Sequence, residues 1–169
     1  MDYDNGGDVV ESKEERISSS MKFDPHTHVF EYLRQRPNLE NVKLIIDTAK
    51  RKGLGALAVT EHDDREIGFE ASRLASVHFP DFRIIPGVET SREGVHVITL
   101  FLPEGEFELI AHSTRYIEGV QGIEIKNAQY PELDEVEARR IAKEHDLVML
   151  ESSDAHDINR IGFYFSNLE

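Results

Sequence analysis

Short apolar, β-branched runs alternate with longer stretches of helical period along most of the chain. Residues 21–24, 56–60, 83–88, 95–102, 108–111, 122–126 and 146–150 are predicted strands, and 162–165 a short last one. Helical spacing predicts three helices, at 39–52, 65–78 and 132–144. The first has Asn38 as its N-cap, buries Val42, Ile45, Ile46 and Ala49 on one face, and ends at Lys50-Arg51-Lys52 before Gly53. The last follows Pro131 and runs from acidic to basic, as the helix dipole favours. Such strand–helix order argues for an α/β domain on a largely parallel sheet, in which sites lie at the carboxyl ends of strands. Residues 90–94 and 103–106 are too short for parallel crossovers, so both predict tight hairpins and a partly antiparallel sheet.

Residues 1–20 break the pattern. They hold six acids, two bases, a Gly-Gly pair and a Ser-Ser-Ser end, too little apolar surface to offset ordering entropy, and predict an acidic disordered tail. The remaining 21–169 suffice for one domain with a real core. The net charge of −14 disfavours long duplex nucleic acid, yet not a small phosphorylated substrate, because divalent metals reverse the local sign of a site. Cysteine is absent, so any metal is held by nitrogen and oxygen. No apolar run approaches a membrane span and no signal-peptide pattern opens the chain, which makes a cytoplasmic protein the expectation.

The chemistry is concentrated at predicted strand ends. His26 and His28 stand two apart after the first strand, so an extended backbone turns both imidazoles the same way. Asp154 and His156 repeat that spacing near the other end, and His62, Glu89, His96 and His112 fall between them. Six imidazoles and two carboxylates suffice for two or three divalent ions, of which Zn, Mn and Fe suit such ligands. Glu89 is the natural bridge, since a carboxylate offers two oxygens. A multi-metal site lowers the pKa of bound water and clamps both oxygens of an in-line phosphoryl displacement. His78 and His145 lie on predicted helices and are read as packing or surface residues, and one of Glu61, Asp63 and Asp64 as a helix cap.

In their order, His26-Thr27-His28, Thr60-Glu61-His62-Asp63, Gly87-Val88-Glu89, Val95-His96-Val97, Ala111-His112 and Ser153-Asp154-Ala155-His156 resemble the motifs of the PHP (polymerase and histidinol phosphatase) family. The resemblance spans residues 21 to 165. It implies a small, distorted, partly antiparallel (β/α)7 TIM-like barrel and a metal-dependent phosphoesterase using metal-activated hydroxide, with no side chain as nucleophile. It also implies His26, His28, Glu89 and Asp154 on one metal, Glu89, His96 and His112 on a second, and His62 and His156 on a third. Where the family supplies a further ligand of the third metal, this chain has Leu33 and Arg34, so that site is expected to be weak or empty. Ser113 replaces the family's proline after His112, and the short fourth-to-fifth strand segment implies an open site.

Arginine suits phosphate through its bidentate fork, and Arg115, Arg92 and Arg160 are the candidates, in that order. The expected substrate is a small phosphorylated molecule or the end of a short oligonucleotide. Two other readings stand beside it: an amidohydrolase-like hydrolase, since activated water also attacks carbonyl carbon, and a catalytically degenerate domain stabilised by metals.

Overall fold

A computed structural model describes residues 20–168, so the predicted tail lies outside the described residues apart from Ser20. The chain runs β1 (Met21–Asp24), α1 (Val29–Leu33), α2 (Leu39–Arg51), β2 (Ala56–Val59), α3 (Arg65–His78), β3 (Arg83–Arg92), β4 (Val95–Leu102), β5 (Gly105–Ile110), β6 (Gly122–Asn127), α4 (Glu135–Glu144), β7 (Val148–Ser152), a 3₁₀ turn at Ile158–Arg160, and β8 (Ser166–Leu168). The strands form one eight-stranded sheet in the order β7-β6-β5-β4-β3-β2-β1-β8. It curls into a small, partly antiparallel α/β barrel of the kind the resemblance implies. Both short junctions are hairpins, because β3, β4 and β5 pair antiparallel in succession, whereas β1–β2–β3 and β5–β6–β7 are parallel.

Two departures from the sequence reading have local causes. Residues 162–165 are a turn and not a strand: Gly162 takes φ 69° and donates its N–H to Asp24 Oδ2, and pairing starts only at Ser166 opposite Phe23. The unpredicted α1 is a short helix whose first N–H groups donate to the buried Glu61 carboxylate, Phe30 N at 2.8 Å and Glu31 N at 3.2 Å. Elsewhere the predicted caps form. Asn38 and Asn41 make a reciprocal capping box and Asp64 caps α3, whereas α4 starts three residues later than expected, because Asp134, read as helical, is its N-cap.

Strand alternation divides the apolar residues into layers. Ala56 and Ala58 turn inward with Phe23, Ile85, Ile98, Leu109 and Leu150, while Leu57 and Val59 turn outward beneath α2 and α3. A second outer layer packs Ile123 and Ile125 against Ala138, Ile141 and Ala142 of α4. At the carboxyl rim, segments beyond the strands continue the pairing: Thr27 bridges Ala155, and His62 bridges Glu89. The rim is therefore tied from the β7 side through β1 and β2 to β3, although β8 intervenes lower down.

α3 lies close on β3. A Cβ on Gly68 would sit 2.9 Å from Gly87 N and 2.9 Å from Val59 O, both backbone atoms that cannot rotate away. Gly68→Ala gains about 1 kcal/mol in helix propensity but overpacks this contact at about 1–3 kcal/mol. A net loss is expected, read as a lower Tm by roughly 2–4 °C per kcal/mol. An unchanged or raised Tm would show that α3 can shift freely on the sheet.

Candidate metal centre

Backbone ties at the rim aim the first two histidines. Thr27, between them, is held by hydrogen bonds from its N–H to Thr60 Oγ1 (3.1 Å) and from its hydroxyl to Ala58 O (2.6 Å). His26 and His28 are both fully buried, and their Nε2 atoms converge to 2.8 Å. β1 ends at Asp24, so the pair lies beyond the strand, on either side of the Thr27 bridge to Ala155.

Glu89 lies where these rings meet. Its Oε2 is 3.2 Å from His26 Nε2, 2.9 Å from His28 Nε2 and 3.2 Å from His62 Nε2. Oε1 is 2.7 Å from His96 Nδ1 and 3.2 Å from His112 Nε2. His96 is at the start of β4, but β4 is antiparallel to β3, so that start lies at the same rim as the other strands' carboxyl ends. Asp154 completes one side, with Oδ1 3.5 Å from Nε2 of both His26 and His28 and 3.4 Å from His156 Nδ1. All eight predicted ligands thus meet in one cluster. His112 (φ 33°) and Asp154 (φ 49°) are held in left-handed backbone, a local strain that surrounding bonds must sustain.

Several residues of this site escaped the sequence reading. Glu31 on α1 reaches His62, accepting from its backbone N–H at 2.7 Å and lying 2.9 Å from Nδ1. Five residues after His26, it offers a carboxylate oxygen where Leu33 and Arg34 offer none, in a grouping with His28, His62 and His156 that could hold an ion. Beneath the rings, Glu124 is 2.8 Å from His26 Nδ1, and Asn127 donates to Glu124 Oε2 (2.9 Å) and Asp154 Oδ2 (3.1 Å). Asp24 anchors the Asp154 loop by accepting from Ser153 N, Ser153 Oγ and Gly162 N. Tyr130 stacks on His112 with ring centroids 4.0 Å apart. A polar residue in the middle of an apolar strand, as in Ile123-Glu124-Ile125, was the one available signal for Glu124.

The electrostatics suit a cation. Burial opposes protonation of His26, yet Glu124, Asp154 and Glu89 raise it well above the usual imidazole range. Burial, with the neighbouring His26 and His62, lowers His28 to about 4 despite Glu89, leaving a neutral ring with a lone pair. Burial works against ionisation of Glu89, but hydrogen bonds from His112, His26 and His28 hold it far below the carboxylate range. Asp154 Oδ1 is buried without a hydrogen-bond partner. Converging imidazole nitrogens and an orphaned carboxylate oxygen are what a transition-metal ion requires and what a neutral core avoids. Three groupings have ligand atoms within 4.8 Å of one another: His28/Glu31/His62/His156, His26/His28/Asp154 and His62/Glu89/His96.

The arginines lie apart from the cluster. Arg92 is on the outer face of β3, three residues from Glu89, and its Nη1 donates to Glu108 at 2.8 Å. Arg115 donates to Glu93 O in the β3–β4 hairpin, and Arg160 to Ala128 O in the loop after β6, so both belong to the rim. His78 ends α3, and His145 stacks on Tyr116.

No protein-family model and no curated protein matches the chain. Solved structures share its fold. PsfC from Pseudomonas syringae aligns with a TM-score of 0.61 at 18% identity, over 85% of this chain and 79% of that one. A protein of Bifidobacterium adolescentis provisionally named a metal-dependent phosphoesterase gives 0.64 at 13%, over 85% and 92%. An amidohydrolase from Chromobacterium violaceum, with bound sulfate and no metal, gives 0.61 at 15%, over 87% and 92%.

Glu31→Ala should cost one equivalent of bound metal while leaving the His26/His28/Asp154 grouping loaded, as read by elemental analysis after dialysis. Unchanged stoichiometry would reduce Glu31 to a hydrogen-bond partner of His62.

Proposed function

We propose that this protein is a metal-dependent hydrolase of phosphoric esters, acting on a small phosphorylated molecule or the end of a short oligonucleotide. One observation carries the reading. Glu89 presents its two oxygens to two different sets of imidazoles, the arrangement that places ions side by side. Bound divalent transition metals supply Lewis acidity toward a phosphoryl oxygen and toward water.

The chain's own residues do the rest. His26, His28 and Asp154 would hold one ion, Glu89 with His96 and His112 a second, and Glu31 with His62 and His156 a third. Asn127 engages Asp154 Oδ2, which leaves Oδ1 turned toward His26 and His28. The likeness of the motifs to the PHP family supports phosphoric esters over amides. So does the supply of three groupings, because in-line displacement uses more than one ion. On the rim, Arg115 and Arg160 are the cations able to orient a phosphate by a planar fork. No helix among the described residues is long and apolar enough to cross a membrane.

The test is a panel of chromogenic phosphate esters and short oligonucleotides set against amides and lactones. Chelation should abolish phosphate-ester hydrolysis, and Mn, Zn or Fe should restore it. Asp154→Asn should lower turnover tenfold or more, on the order of one disrupted electrostatic contact in a dry site. Arg115→Ala should mainly raise KM at unchanged metal content. Hydrolysis of amides or lactones alone would instead establish an amidohydrolase, and bound metal without any hydrolysis a binding domain.

A further inference from the structure

The Glu124 carboxylate meets four hydrogen-bonding partners, two on each oxygen, and none of the ligand groupings includes it. It is completely buried on β6. Oε1 faces His26 Nδ1 at 2.8 Å and the Ser152 hydroxyl at 2.5 Å. Oε2 accepts from His112 N at 2.8 Å and Asn127 Nδ2 at 2.9 Å. Asn127 cannot reverse its amide, because its Oδ1 already accepts from Gln129 N and Tyr130 N.

We infer that Glu124 is the positioning residue of the metal centre, fixing His26 as the Nδ1–H tautomer so that its Nε2 lone pair faces the cluster. The inference rests on the metal-centre reading of the proposed function. An ionised carboxylate only accepts, so the ring nitrogen 2.8 Å away is the one that carries hydrogen. Once a cation displaces the second proton that the surrounding carboxylates favour, the neutral ring keeps the single N–H held by Glu124, and Nε2 is left free toward His28 Nε2, Glu89 Oε2 and Asp154 Oδ1. The same carboxylate holds the backbone of His112 in its left-handed conformation. One buried side chain thus sets a ring on one side of the cluster and a backbone on the other.

Glutamine at this position tests the logic, because neither orientation of its amide reproduces the carboxylate. With the NH₂ toward His112 N and Asn127 Nδ2, donors face donors that cannot turn. With the NH₂ toward His26, the Ser152 hydroxyl rotates to accept and only the His26 proton must move, from Nδ1 to Nε2. The second arrangement satisfies more groups, and it closes Nε2 to metal. Outer partners of ligating histidines change metal affinity by about 10–100-fold.

The decisive measurement is long-range ¹H–¹⁵N correlation of the histidine rings in metal-free protein, at a pH taken high enough that the His26 ring has lost its second proton. It is paired with competitive Zn²⁺ titration and the Co²⁺ absorption spectrum of loaded protein. Wild type should show His26 as Nδ1–H, and Glu124→Gln as Nε2–H. The variant should bind one equivalent about 10–100-fold more weakly and shift the Co²⁺ bands. Ser152→Ala removes a donor from the same oxygen but gives His26 nothing new to accept from, so the tautomer should stay. If Ser152→Ala weakens Zn²⁺ as much as Glu124→Gln, loss of buried bonding alone explains the effect and positioning is refuted. If Glu124→Gln does not fold, wild type still decides: His26 found as Nε2–H overturns the inference. Wild type that binds no Zn²⁺ would overturn the metal-centre reading itself. Unchanged affinity in Glu124→Gln would overturn only the positioning role of Glu124.

Discussion

The constraint on which the site depends is the crowding of electron-rich groups around one buried carboxylate. Glu89 is 2% exposed and meets His26, His28, His62, His96 and His112 within 3.2 Å. Such a cluster is stable only with positive charge among its members, whether protons on the rings or cations between them. The rest of the rim serves to hold these groups against their mutual desolvation and lone-pair repulsion. Thr27 and Thr60 lock the first loop, Asp24 the last, and Glu61 the short helix that brings in Glu31. Strained backbone at His112 and Asp154 is a further sign that local preference gives way to this cluster.

Topology makes the cluster possible in so few residues. A regular parallel barrel inserts a helix between successive strands, whereas here β3, β4 and β5 follow one another through hairpins. Reversing β4 brings its first residues to the functional rim, so His96 arrives without a crossover. β3 also extends past the expected 83–88 as far as Arg92, since β4 pairs along its length, and Glu89 consequently sits inside a strand and not in a loop. A bridging ligand on paired backbone is held more rigidly than one on a free loop.

Much of this was legible in the chain. Short apolar, β-branched runs located the main strands, short connections gave the hairpins, and the ordered His, Glu and Asp positions located the eight candidate ligands, whose side chains converge. What escaped shares a physical cause. α1 is five residues long, too short for a helical period, and forms because Glu61 accepts its first N–H groups from another loop. Glu124 lies between Ile123 and Ile125, which alternation reads as a solvent-facing position on a one-sided sheet. In a barrel both faces are buried, so the polar residue points into the interior. β8 was displaced by four residues because its start is set by where the chain meets β1, a long-range contact that no local pattern encodes.

The antiparallel pairing of the first and last strands has an architectural outcome. Met21 opens β1 opposite Leu168, the end of β8, so the first and last strands of the barrel begin and finish side by side at its base, away from the rim. A host protein could carry this unit as an insertion in one of its own loops, with two adjacent junctions and little distortion. Immobilised through that base on a bead or scaffold, the barrel would present its histidine-lined mouth outward and unobstructed.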